Sequence, residues 1–171
     1  MIESEPPEET EPINSKAERL MNLARVLVSD WPRLLPQLTQ EEASYSVNTF
    51  RKQLRSRAFA DFCQDYAEKK ICGDDRISVD YYFGDTVVEI ALDLRNSEGA
   101  FERGILKVVM AIGEGHPISR LLFLAKNGAR ARCRSSHRAA MIAWAGKEYG
   151  FEVEVSELGT AAEVIFDANP G

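Results

Sequence analysis

Asp80 and Glu89 are the two side chains best placed to do chemistry in this chain. Residues 76–94 read RISVDYYFGDTVVEIALDL. Val, Ile, Tyr and Thr crowd both halves, and Gly84-Asp85 sits between them as a turn signal. With Gly84-Asp85 as a two-residue loop, Phe83 pairs with Thr86 and the register follows. Counting outward, Tyr81 faces Val88 and Asp80 faces Glu89. Directly opposed residues lie about 4.5–5.5 Å apart at Cβ, where like charges are destabilising. The pair therefore calls for compensation by a divalent cation, a nearby base or a shared proton.

The elements that must hold this hairpin can be outlined from spacing. Leu20, Leu23, Ala24, Leu27 and Val28 predict a helix over 15–31, with Ser15 and Glu18 as a capping box and Pro32 and Pro36 ending it. A second helix is expected over 40–56, and a third from Ser56 to Lys70. After the hairpin, AFERGILKVVMAIG predicts a helix over 100–113. The run RLLFLA, 120–125, is that of a strand buried on both faces. A helix from Ser135 or Ser136 to Tyr149 and a strand over 151–157 follow, and Glu163–Phe166 is a candidate edge strand. A helix between strands implies a crossover. The expected fold is therefore α/β: a mixed central sheet flanked by helices.

The chain has 171 residues, 44% of them hydrophobic and 28% charged, which suits one globular domain with a real core. No apolar run approaches the roughly 20 residues of a membrane span. Three cysteines, Cys63, Cys72 and Cys133, lack a CxxC pair, so a disulfide framework or zinc site is not expected and a cytoplasmic location fits. Residues 1–13 hold five glutamates, three prolines and no basic residue. They are expected to be a disordered acidic tail ahead of a single domain over 14–171. Without them the net charge moves from −6 to −1.

The remaining charge is uneven. No Asp or Glu occurs from Gly115 to Lys147. Within that stretch Lys126, Arg130, Arg132, Arg134 and Arg138 form a candidate polyanion-binding surface. Arg51, Lys52, Arg55 and Arg57 form a second basic cluster, for which a solvated face balanced by acids is the simpler reading. His116 and His137 stand too far apart to make a zinc motif, and no phosphate-binding glycine loop or GxSxG elbow is present.

The order helix, hairpin carrying D…E, helix, strand, helix, strand resembles the core of the PD-(D/E)XK nuclease superfamily. The texture of Val88-Glu89-Ile90-Ala91-Leu92 and of Phe101-Glu102-Arg103-Gly104-Ile105-Leu106-Lys107 resembles its restriction-endonuclease-like branch. The resemblance covers roughly residues 56–157 and makes the helices of 14–55 an N-terminal extension. It implies Mg²⁺ held weakly by Asp80 and Glu89, phosphodiester hydrolysis on DNA, and phosphate contacts from the basic stretch; a homodimer is among the assemblies it admits. Such a site needs a third residue, usually Lys, two positions after the Glu on the same face. Here that position is Ala91, which can neither bind metal nor orient water. Lys107 is the first candidate to replace it from the following helix. Glu102 on that helix is the other, Asp93 could partly substitute as a ligand, and Asp65 or Glu68 could supply another carboxylate. The alternative to a nuclease is a non-catalytic interaction module on the same fold.

Overall fold

A computed structural model describes residues 13–62, 64–92, 99–134 and 136–159. Three helices come first: α1 (Ile13–Leu34), α2 (Gln40–Ser44) and α3 (Ser46–Phe62). Then come strands β1 (Ala67–Cys72), β2 (Ile77–Phe83) and β3 (Thr86–Ile90), helix α4 (Ala100–Gly113) and strand β4 (Arg120–Ala125). Helices α5 (Ala129–Cys133) and α6 (Ser136–Tyr149) and strand β5 (Glu152–Glu157) complete the chain.

The five strands form one mixed sheet in the order β1-β2-β3-β4-β5. β2 is antiparallel to both neighbours, whereas β3, β4 and β5 run parallel. The apolar stripe of α1, with Leu20, Ala24, Leu27 and Val28 all buried, packs with α3 on one face against Tyr81, Phe83, Val88 and Ile90. α4 and α6 cover the other face, over Val87, Leu121 and Phe123. The expected α/β class with helices on both faces of a mixed sheet is the observed one. The N-terminal helices form one of its two covering layers rather than an appendage. No helix of the described residues is long and apolar enough to cross a membrane.

Several boundaries differ from expectation. β1 occupies residues whose sequence favours the end of a helix. Ala67, Glu68, Lys69 and Lys70 are good helix formers, and the strand lacks an alternating apolar pattern because it lies at the sheet edge and buries only Ile71 and Cys72. Edge pairing with β2 overrides the propensity. α1 runs through Pro32 to Leu34. Only its last turn follows the proline, so a single missing backbone bond is tolerated. The capping box lies at Thr39 and Glu42, ahead of α2, rather than at Ser15. α5 is a short helix between β4 and α6, where the sequence predicts no element. The acidic tail as far as residue 12 and the candidate strand Glu163–Phe166 fall outside the described residues.

Gly104, an unfavourable residue inside a helix, has a packing reason. A Cβ there would lie 2.6 Å from Cζ and 2.7 Å from Cε1 of Phe123. Its absence lets α4 press directly onto the middle of β4, and Phe123 in turn stacks on Phe101 with ring centres 5.4 Å apart.

Candidate active site

The hairpin has the predicted register: Phe83 pairs with Thr86, Tyr82 with Val87 and Tyr81 with Val88. The ladder ends at Tyr81 and Val88, and Asp80 and Glu89 are the next residues on the two strands. There the backbone pairing is replaced by a side chain: Asp80 Oδ2 accepts the Ile90 N–H at 2.7 Å. Asp80 thus does the work of a strand carbonyl while keeping its second oxygen for other partners.

Because β3, β4 and β5 are parallel, their carboxyl ends share one edge of the sheet. Loops at that edge lead into α4, α5 and α6, and ligand sites of open α/β sheets concentrate at such edges. Asp80 and Glu89 lie there. Val87 and Ala91 pack on the α4 side of β3, so period-2 alternation puts Glu89 on that side too.

Two cations compensate the carboxylate pair. Lys107, on α4 one turn beyond Gly104, brings its Nζ to 3.0 Å from Glu89 Oε1. Arg51, on α3, donates from Nη2 to the Ile90 carbonyl at 2.8 Å and holds its Nε 3.7 Å from Asp80 Oδ1. Arg51 is the site residue that the sequence did not single out. It belongs to a basic cluster that the fold disperses: Arg55 pairs with Glu68, and Arg57 lies 3.6 Å from Asp30. Only the packing of α3 beside the hairpin reveals its role.

The pair also shows the electrostatic signature of crowded charge. Glu89 is only 13% exposed. Burial first, and the Asp80 charge second, push its carboxyl up to about 7, against the pull of Lys107. At neutral pH Glu89 therefore holds a proton for part of the time. In the unfolded chain Glu89 ionises near 4.5. Between these values the folded protein holds a proton that the unfolded chain has released, so stability falls as pH rises from about 4.5 through 7. Urea unfolding at pH 5 and pH 8 should show this fall in the wild type and a flatter profile in Glu89→Gln. Equal pH dependence in the two proteins would remove Glu89 as its source.

The third position and the other candidate side chains divide clearly. Ala91 lies on the Glu89 face as the alternation requires, half-buried, with its N–H bonded to the Leu124 carbonyl. Glu102 points to the start of α6, 3.9 Å from His137 Nε2. Glu68 is engaged by Arg55, Asp65 precedes β1 in a short turn of helix, and Asp93 falls outside the described residues. Lys107 is the one brought to the pair. Among the described residues no group of three or more His, Cys, Asp or Glu side chains is arranged to hold a metal.

The basic stretch separates into buried and exposed members. Lys126 and Arg138 are 4% and 3% exposed, so neither belongs to a solvent-facing surface. Lys126 directly follows the buried strand β4. Arg138 lies on the inner side of α6, its guanidinium 5.1 Å from the centre of the Phe101 ring and its Nη1 3.9 Å from Cys133 Sγ. A charge count along the sequence carries no information on which helix face each cation occupies. Arg130 and Arg134 are exposed and Arg132 is half-buried, all on or beside α5. Arg130 is tethered by its Nε to the Val155 carbonyl at 2.7 Å. α5 follows β4, so these three arginines lie at the same sheet edge as the carboxylate pair.

No protein-family model, no curated protein and no solved structure matches this chain.

Proposed function

We propose that this chain carries a metal-dependent nuclease site of the PD-(D/E)XK kind, acting on DNA, in which Lys107 takes the role that Ala91 cannot. The observation that carries the reading is the Lys107–Glu89 contact at 3.0 Å. A lysine delivered from a helix reaches the carboxylate at which the strand-borne lysine of the resembled family would act. From the hairpin onward the expected succession of helix, strand, helix and strand supports the reading, with α5 added, although β1 precedes the hairpin where the sequence predicts a helix.

The donor chemistry fits a hard divalent cation. Mg²⁺ is commonly bound through one or two carboxylates, with waters and substrate phosphate completing its shell. Asp80 and Glu89 would hold it. When bound, Mg²⁺ supplies charge neutralisation at the phosphoryl group and makes water more acidic. Lys107 holds Glu89 and, with its remaining ammonium protons, can orient a water beside the scissile phosphate. Arg130, Arg132 and Arg134 supply phosphate contacts at the same edge.

A second reading, an interaction module without catalysis, is favoured by the completeness of the pairing: Lys107 and Arg51 already balance Glu89 and Asp80. A plasmid-cleavage assay in Mg²⁺ and in Mn²⁺ separates the two. Cleavage by the wild type is expected, and its loss in Asp80→Asn, which keeps an acceptor for the Ile90 N–H while removing the charge. Wild type that neither cleaves DNA nor binds Mn²⁺ would leave the module reading standing.

Binding has its own readout. Each cation that touches duplex phosphate contributes about 0.9 to the slope of log affinity against log salt. Changing Arg130, Arg132 and Arg134 together to alanine is expected to weaken duplex binding and to flatten that slope by about 0.9 for each of the three that touches phosphate. An unchanged slope would put the DNA surface elsewhere.

A further inference from the structure

The carboxylate pair leaves one cation unexplained by Lys107 chemistry. Arg51 reaches the site from α3, in the helix layer on the opposite face of the sheet from α4. Its side chain is 37% exposed, and its contacts are uneven. Nη2 makes one good bond, to the Ile90 carbonyl, and Nη1 a longer one of 3.3 Å to Asn48 Oδ1. Nε is buried and makes no hydrogen bond, because Asp80 Oδ1 at 3.7 Å lies beyond reach of one. A guanidinium has five donors in a fixed fork, and here the fork fits its acceptors poorly. It sits beside two oxygens, a carboxylate and a carbonyl, of the kind that bind hard cations.

Resting on the reading of Asp80 and Glu89 as a divalent-cation site, we propose that Arg51 is a resident competitor of that cation. With no metal bound it offsets the Asp80 charge and limits the repulsion across the hairpin. A divalent cation arriving at Asp80 meets an adjacent positive charge, so its binding requires the guanidinium to swing toward solvent. Metal affinity is thereby held low, and the Ile90 carbonyl is freed only as the metal is bound. Arg51 acts here as a positioning residue that does not touch substrate.

The test is Mn²⁺ binding by calorimetry to wild type, Arg51→Gln and Arg51→Lys, with thermal unfolding of each measured alongside. Removing a unit charge next to a divalent site should tighten binding about tenfold in Arg51→Gln, even with water-like screening. Arg51→Lys, which keeps the charge, should stay close to wild type. A folded Arg51→Gln that binds Mn²⁺ no more tightly than wild type overturns the competitor role and leaves the carboxylate site standing. Absence of Mn²⁺ binding in all three overturns both. A second measurement needs no variant. In wild type titrated with Mg²⁺, the Arg51 Nε–H resonance should shift in step with the Glu89 and Ile90 amides. Shifts of those amides with a stationary Arg51 signal would also overturn the proposal.

Discussion

Lys107→Ala is expected to lower the rate of Mg²⁺-dependent DNA cleavage by about 10²–10⁴-fold, the contribution typical of a positioned acid or base. Two effects act together. On the proposed mechanism the ammonium that would orient water is removed, and Glu89 is left without the charge that opposes its protonation, so more of it is neutral at pH 7. Fold stability should fall as well, because Glu89 is only 13% exposed and loses the ammonium beside it, with protonation of Glu89 limiting the loss. The double variant Lys107→Ala/Ala91→Lys separates placement from charge. Position 91 shares the Glu89 face, and its side chain is half-buried against the cluster under α4. A lysine there should return much of the missing rate. Full activity in Lys107→Ala would remove the lysine from the mechanism, and a defect that Ala91→Lys cannot repair would tie the role to the helix.

Gly104→Ala is expected to destabilise the fold even though it improves the helix. Alanine gains about 1 kcal/mol over glycine in a helix interior. Against that, the new methyl would lie 2.6–2.7 Å from two ring atoms of Phe123, which is fully buried and stacked on Phe101. Overpacking of this kind costs about 1–3 kcal/mol, so the net loss should be up to about 2 kcal/mol. α4 would be lifted off β4, and Lys107, one turn further along, would move away from Glu89. Urea unfolding gives the first effect and the Mg²⁺-dependent cleavage rate the second. Gly113→Ala is the control. It lies in the same helix, and a Cβ there meets nothing within 4 Å, so it should be neutral or stabilising. Equal effects of the two substitutions would show that Gly104 is not held by its packing on Phe123.

The parts of this fold that are legible in the sequence are those where local chemistry decides the answer. Gly84-Asp85 allows a two-residue turn, and that turn alone sets the hairpin register and hence brings Asp80 and Glu89 together just past its last pair. The run 120–125 reads as a buried strand because it has neighbours on both sides, and five of its six residues are buried. β1 is illegible because its residues favour a helix and its strand state comes entirely from pairing with β2. Among the side chains, Lys107 can be named as a candidate from its position after the hairpin. Its selection over Glu102 needs the rotation of α4, which Gly104 and Phe123 help set. Arg51 cannot be found at all, since its partner lies 29 positions away in the sequence and on another layer. The burial of Lys126 and Arg138 is hidden for the same reason: composition records charges without the face they occupy.

The bond from the Ile90 N–H to Asp80 Oδ2 has an evolutionary consequence. If Asp80 were replaced by an apolar residue, that amide would be left without an acceptor at the end of the ladder, a cost borne whether or not the protein cleaves anything. Selection for folding alone would then keep Asp80 in a lineage that had abandoned catalysis. Lys107 supports no backbone bond, and protonation of Glu89 can offset its loss. In any set of relatives, an invariant Asp80 would therefore say little about activity. The informative pattern would be at positions 107 and 91: a lysine retained at one or exchanged between them in an active lineage, and drift at both in an inactive one.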